Sequence, residues 1–227
     1  MCFSAGASFG AATGLSIISL LSLHKASHTK KLMPLAASPL FFALQQACEG
    51  IVWITLNNGD NSSILYWCAV YGFLFCACLW WPIWIPYALN AAETVYVRKK
   101  LLFIMQCIGI ISGITLFISW VPYTTGAHII NHHIDYPVTN YPFNITNTLI
   151  SWLITGIIAT GYCVATIMPF FISSIAYIWI IGIATSIGLA ASCIFYYMAL
   201  PSVWCFFAAI SSVLLYFIIK KYHDNNI

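Results

Sequence analysis

The chain has 227 residues, of which 62% are hydrophobic and 6% charged, and its mean hydropathy is +0.92. A soluble domain carries about a quarter charged residues, so this composition excludes a soluble fold and names the lipid bilayer as the first partner. The net charge of +3 is spread over three separate segments, which excludes a nucleic-acid-binding surface.

At about 20 apolar residues per crossing, the apolar runs predict an all-α polytopic membrane protein, a bundle of seven transmembrane helices in one domain over 1–227. Span 1 covers 3–23, span 2 covers 32–56 and span 3 covers 64–89. Span 4 covers 101–121, and a longer polar loop takes 122–147. Spans 5, 6 and 7 follow at 148–167, 172–198 and 202–219. The break between spans 5 and 6 rests on Pro169 and Ser173/Ser174 and carries no charge.

The basic residues set the topology. They fall in three clusters, Lys25/Lys30/Lys31, Arg98/Lys99/Lys100 and Lys220/Lys221, separated by two predicted spans and then four. An even number of crossings returns the chain to one side, so all the positive charge shares one face. The positive-inside rule makes that face cytosolic. The N-terminus is then outside, the C-terminus is in the cytosol, and a bacterial inner membrane suits the pattern. The opening Met1-Cys2-Phe3-Ser4 lacks the positive charge of a signal peptide. Trp53, Trp67, Trp120, Trp152 and Trp204 fall near predicted outer ends, as an interfacial belt does, whereas Trp179 does not fit. In span 3, Pro82 and Pro86 interleave with Trp80, Trp81 and Trp84 and predict a kink, which either lines a cavity or is plain geometry. Eight of the nine Cys lie within spans, where cysteine is a small hydrophobe.

Span 2 holds the sharpest chemical feature, Gln45-Gln46-Ala47-Cys48-Glu49-Gly50 followed by Trp53. Glu49 is the one acidic residue predicted well inside the membrane, about 10 Å from the outer end at about 1.5 Å per residue. A charge there costs a few kcal/mol and must face the bundle. Gln45, Glu49 and Trp53 share a helix face at i, i+4, i+8, and Gln46 adjoins it. The stripe reads as a proton-, ion- or ligand-binding group or a catalytic carboxylate. It also reads as a neutral, hydrogen-bonded Glu that holds helices together.

The outer loop carries His128, His132, His133 and Asp135, donors for Zn or Cu, or else a solvated polar loop. Cys2 belongs to the same side, where its thiol and the amino terminus would join such a site. Gly6-Ala7-Ser8-Phe9-Gly10 matches a nucleophile elbow formally, but that elbow needs a strand-turn-helix. Gly6/Gly10/Gly14 and Gly109/Gly113 instead read as small-xxx-small packing faces. Glu93, beside the basic cluster, reads as a solvated interfacial carboxylate, and His24 and His28 as solvated. No predicted span contains His, which disfavours haem. Span 7 lacks the Lys that retinal needs.

Met1-Cys2-Phe3-Ser4-Ala5, with Gln45-Gln46 and Glu49-Gly50, resembles a group of small, multi-pass, mainly bacterial membrane proteins that open with the same five residues. That group has no assigned activity. The resemblance implies an architecture and draws attention to Cys2, Gln45, Gln46 and Glu49. Three functions stay open. One is a transporter or sensor with an outward-facing site for a small molecule, proton or metal ion. Another is an intramembrane enzyme using Glu49 as acid/base with Cys2 or a His-bound metal. The third is a structural subunit of a membrane complex.

Overall fold

A computed structural model describes residues 4–130, 132–139 and 148–224. The first helix, α1 (Ala5–Ala26), starts where Ser4 Oγ accepts the Ala7 amide at 3.2 Å, satisfying one of the donors a helix start leaves open. A 3-10 turn at Lys30–Leu32 leads into α2 (Met33–Asn57), which returns antiparallel against α1. The face of α1 that packs is Ser8, Ala12, Leu15, Ser19 and Ser22. Gly10 and Gly14 have nothing within 4 Å of a built Cβ, and Gly6 meets only Ser4 Oγ at 3.9 Å. The expected glycine packing face on α1 is therefore corrected. Serine and alanine supply the close approach, one position round the helix.

Helix α3 (Ile64–Leu74), capped by Ser63 Oγ, runs through a π-helical turn at Phe75–Trp80 into α4 (Trp81–Ala92). Pro82 cannot donate to the carbonyl four residues back and its ring crowds that carbonyl. The chain meets this by widening the turn before the proline. Against this stretch packs α5 (Tyr96–Trp120). A Cβ on Gly109 would fall 1.8 Å from the Pro82 carbonyl oxygen, and one on Gly113 would lie 3.1 Å from the Pro82 ring. Only glycine admits this crossing.

The loop after α5 is not a solvated strand of chain, as its polarity suggested. It forms a hairpin of β1 (His128–Ile130) and β2 (His133–Asp135), with His128 opposite Asp135 and Ile130 opposite His133. Ala127, Ile134 and Tyr136 are buried, and Tyr136 stacks on Phe73 with ring centroids 4.8 Å apart. Tyr66 clamps the hairpin by accepting from the Ala127 amide and donating to its carbonyl. Residues 140–147 lie outside the described segments.

Helix α6 (Thr148–Ile172) carries Pro169 inside it, so the chain breaks later than predicted, between 173 and 178. Helix α7 (Trp179–Phe195) follows, then α8 (Leu200–Ser211) and α9 (Val213–Asp224). Glu93 explains where the break falls. Its carboxylate accepts the amide of Ser174 at 2.7 Å and the Ser174 hydroxyl at 2.6 Å, and also the Thr94 and Val95 amides at 2.9 Å each. Glu93 is 2% exposed. The reading of it as a solvated carboxylate is corrected: it ties the α4–α5 link to the α6–α7 link. Burial raises its pKa, but the hydrogen bonds from Ser174, Val95 and Thr94 outweigh that and hold it below the ordinary glutamate value.

Six segments are long and apolar enough to cross a membrane, namely Ala5–Ala26, Lys30–Asn57, Ile64–Ala92, Tyr96–Tyr123, Leu153–Ile172 and Leu200–Tyr222. The predicted sixth span, 172–198, shrinks to the 17 residues of α7, about 25 Å at 1.5 Å per residue. Trp179 opens that helix half-exposed, which makes it an end residue rather than one inside a span. The core divides along the bundle axis. One cluster gathers Ala26, Leu32, Leu102 and Ile219 at the end that carries the basic segments. A second gathers Val52, Trp53, Phe73, Ile134 and Tyr136 at the hairpin end. A small aromatic cluster, including Phe42 and Trp81, lies between.

Candidate functional site

The buried stripe of α2 runs Leu35, Ser38, Phe42, Gln45/Gln46, Glu49, Val52/Trp53, the i, i+3, i+7 spacing of one helix face. Gln45, Gln46 and Glu49 are all 0% exposed. The sequence motif thus points into the bundle. Its neighbours are fixed by close helix approaches on both sides. A Cβ on Gly50 would sit 2.8 Å from the Phe9 ring of α1, and one on Gly72 would sit 3.0 Å from Cys48 Sγ.

Three helices meet at this point. Ser202 Oγ, in the first turn of α8, donates to Glu49 Oε1. Gln46 Nε2 donates to Glu49 Oε2 at 3.4 Å. Trp81 Nε1, in the first turn of α4, donates to Gln45 Oε1 at 2.7 Å. Among the described residues Gln46 Oε1 has no hydrogen-bond partner, and Gln45 Nε2 makes no conventional hydrogen bond and neighbours the Cys205 thiol. Buried amide groups left open in this way cost free energy.

Trp53 shares the Glu49 face but does not reach the carboxylate in the contacts seen. It is 4% exposed within the hairpin-end cluster, and its indole N–H has no partner among the described residues. With Tyr66, Phe73 and Tyr136 it covers the polar cluster on that side. Trp53 and Trp204 are therefore corrected from interfacial belt to bundle interior. Trp204 donates to the Thr185 carbonyl at 3.2 Å.

On the basic-end side of the cluster lies a cavity of ≈ 50 Å³. Trp81 and Cys205 belong both to its wall and to the surroundings of Gln45. The span 3 kink thus does line a cavity. Ser202, Trp81 and Cys205 were not singled out as partners of the Gln45/Gln46/Glu49 stripe in the sequence, where Ser202 falls at the outer end of span 7, above the predicted depth of Glu49.

Among the described residues no group of three His, Cys, Asp or Glu is placed to hold a metal ion. His132 takes the exposed hairpin turn at φ 64°. His133 is buried and packs edge-on to Tyr196 at 4.7 Å between ring centroids. His128 is exposed and Asp135 half-buried. Burial lowers the His133 pKa and raises that of Asp135. Cys2 lies outside the described residues.

Fold and site together define a polytopic α-helical protein whose helices are fit to cross a membrane and enclose a carboxylate-centred polar cluster. The chain belongs to DUF6629, a family of unknown function, whose model matches residues 1–226. This agrees with the resemblance to a group without an assigned activity. No curated protein matches the chain, and no solved structure does.

Proposed function

We propose that this protein is a seven-span membrane transporter or sensor that works through the Glu49 carboxylate. Its N-terminus is outside, its C-terminus is cytosolic, and the bacterial inner membrane is its location. Glu49 binds a proton, a cation or the polar group of a small molecule, and Gln45 and Gln46 orient what binds.

The observation that carries this reading is the position of Glu49 where α2 and α8 meet, joined to α4 through Gln45 and Trp81. A carboxylate that gains or loses a proton there changes the bond between α2 and α8. A local charge change then becomes a change in how two helices pack. The outer apolar cluster closes the site, so this is an occluded arrangement that opens when the Trp53 end of α2 moves.

The test is infrared titration of the protein in lipid nanodiscs. A protonated-carboxyl band that responds to pH and disappears in Glu49→Gln supports the reading. Proteoliposomes carrying a pH-sensitive dye then show whether a pH gradient is dissipated by the wild type and not by Glu49→Gln. A spectrum and a proton flux unchanged by Glu49→Gln would sink it.

A further inference from the structure

The cavity beneath the Glu49 cluster has walls that select a ligand class. Its aromatic residues are Phe42, Trp81, Tyr162, Phe170 and Trp204. Phe42 stacks on Trp81 with centroids 3.7 Å apart, and Tyr162 meets Trp204 edge-on at 5.7 Å. Aromatic faces attract ammonium groups, and clusters of them recognise methylated ammonium ions.

Most of the polar groups on the wall point the same way. Trp81 Nε1 donates to Gln45, Trp204 Nε1 to the Thr185 carbonyl, and the Tyr162 hydroxyl to the Ala77 carbonyl. Thr166 Oγ1 donates to the Tyr162 carbonyl and Ser212 Oγ to the Ala209 carbonyl. These five hydrogens are committed to the protein. What the hydroxyl oxygens retain are lone pairs, which accept and do not donate. Among these five an anion finds no donor and a protonated amine finds acceptors, while Ser38 Oγ, also on the wall, accepts from Trp84 Nε1 and serves either.

Compensating charge lies one to two helical turns away. Glu49 follows the wall residue Phe42 by seven residues on α2, about 10 Å along the axis, and its donor Ser202 precedes the wall residue Cys205 by three on α8, about 5 Å. A volume of ≈ 50 Å³ holds a group of about four heavy atoms, given the roughly 10–15 Å³ that one water needs.

We infer that this cavity is a binding site for a small methylated ammonium ion. The inference rests on the reading of Glu49 as the working group only for its charge compensation.

The test is calorimetric titration of the nanodisc-embedded protein with trimethylammonium, with tert-butanol as a neutral molecule of similar size and acetate as an anion. Trimethylammonium alone is expected to bind. Ala208→Phe, which fills the cavity from α8, should abolish binding. Thr166→Val, which keeps the shape and removes an acceptor, should weaken it several-fold while the protein stays folded. Glu49→Gln should weaken it roughly tenfold, the scale of one unit charge about 10 Å away at an effective dielectric of about 20. Binding of tert-butanol or acetate as tight as that of trimethylammonium overturns the ligand class. Absence of trimethylammonium binding to folded wild type, or full binding to Ala208→Phe, overturns the site. A Glu49 that fails to titrate in the infrared experiment sinks the working-group reading, and the Thr166→Val and Ala208→Phe results still decide the cavity.

Discussion

Among the described residues Glu49 and Glu93 are the two buried carboxylates, each 2% exposed or less, and they are held in opposite ways. Glu93 accepts from three backbone amides and one hydroxyl, an arrangement that favours the ionised form. Its folded pKa is depressed. The stability it adds is therefore fully present above the ordinary glutamate value and is lost as pH falls through the folded value. Thermal unfolding against pH should show an acid limb in the wild type that flattens in Glu93→Gln. Glu49 instead takes its donors from side chains of α2 and α8. Ser202→Ala removes one donor from a buried acceptor, an expected loss of about 1–3 kcal/mol, measurable as a lower unfolding midpoint. In the Glu49→Gln background the same change should cost less, because the charge-assisted bond is already gone. Glu49 was legible in the sequence because a lone carboxylate in an apolar run is expensive wherever it points. Ser202, Trp81 and Cys205 were not, because pairing across helices distant in sequence depends on which faces meet.

At the scale of the element, glycine spacing proved a poor guide to contact. Gly6/Gly10/Gly14 and Gly109/Gly113 look alike as sequence, yet the first set faces open space and the second carries the α4–α5 crossing. The difference lies in the partner. Pro82 and the π-helical turn bring a bare carbonyl toward α5, and no pattern within α5 announces that. Gly109→Ala should cost about 1–3 kcal/mol because the backbones must part. Gly10→Ala should be neutral or stabilising by up to about 1 kcal/mol, since alanine is the better helix former and meets nothing. Equal losses from the two would overturn the assignment of the crossing. The late break after α6 follows the same logic. Pro169 suggests a stop by local rules, but a cap supplied by Glu93, 81 residues earlier than Ser174, places the turn further on.

For the whole molecule, charge and apolar length together set the layout, and α7 is where they strain against each other. The basic clusters share one face only if α7 crosses, because otherwise Lys220 and Lys221 would face the opposite side from Lys25 and Arg98. Yet α7 has 17 residues, about 25 Å, against a hydrocarbon core of about 30 Å. Short helices cross by local thinning of the bilayer or by shelter among neighbours. Shelter is available here: a Cβ on Gly182 would lie 2.9 Å from Phe170 and Phe171 of α6, and one on Gly188 would lie 2.7 Å from Phe207 of α8. With α7 gripped on two sides, its exposed ends at Tyr177 and Tyr197 should lie on opposite faces of the membrane. Single cysteines introduced at these two positions in a cysteine-free background decide the matter. A membrane-impermeant maleimide added to intact cells should label Tyr197→Cys, and should label Tyr177→Cys only after permeabilisation. Labelling of both from outside would mean that α7 does not cross. The count would fall to six, and the common cytosolic face of all eight basic residues would be lost with it.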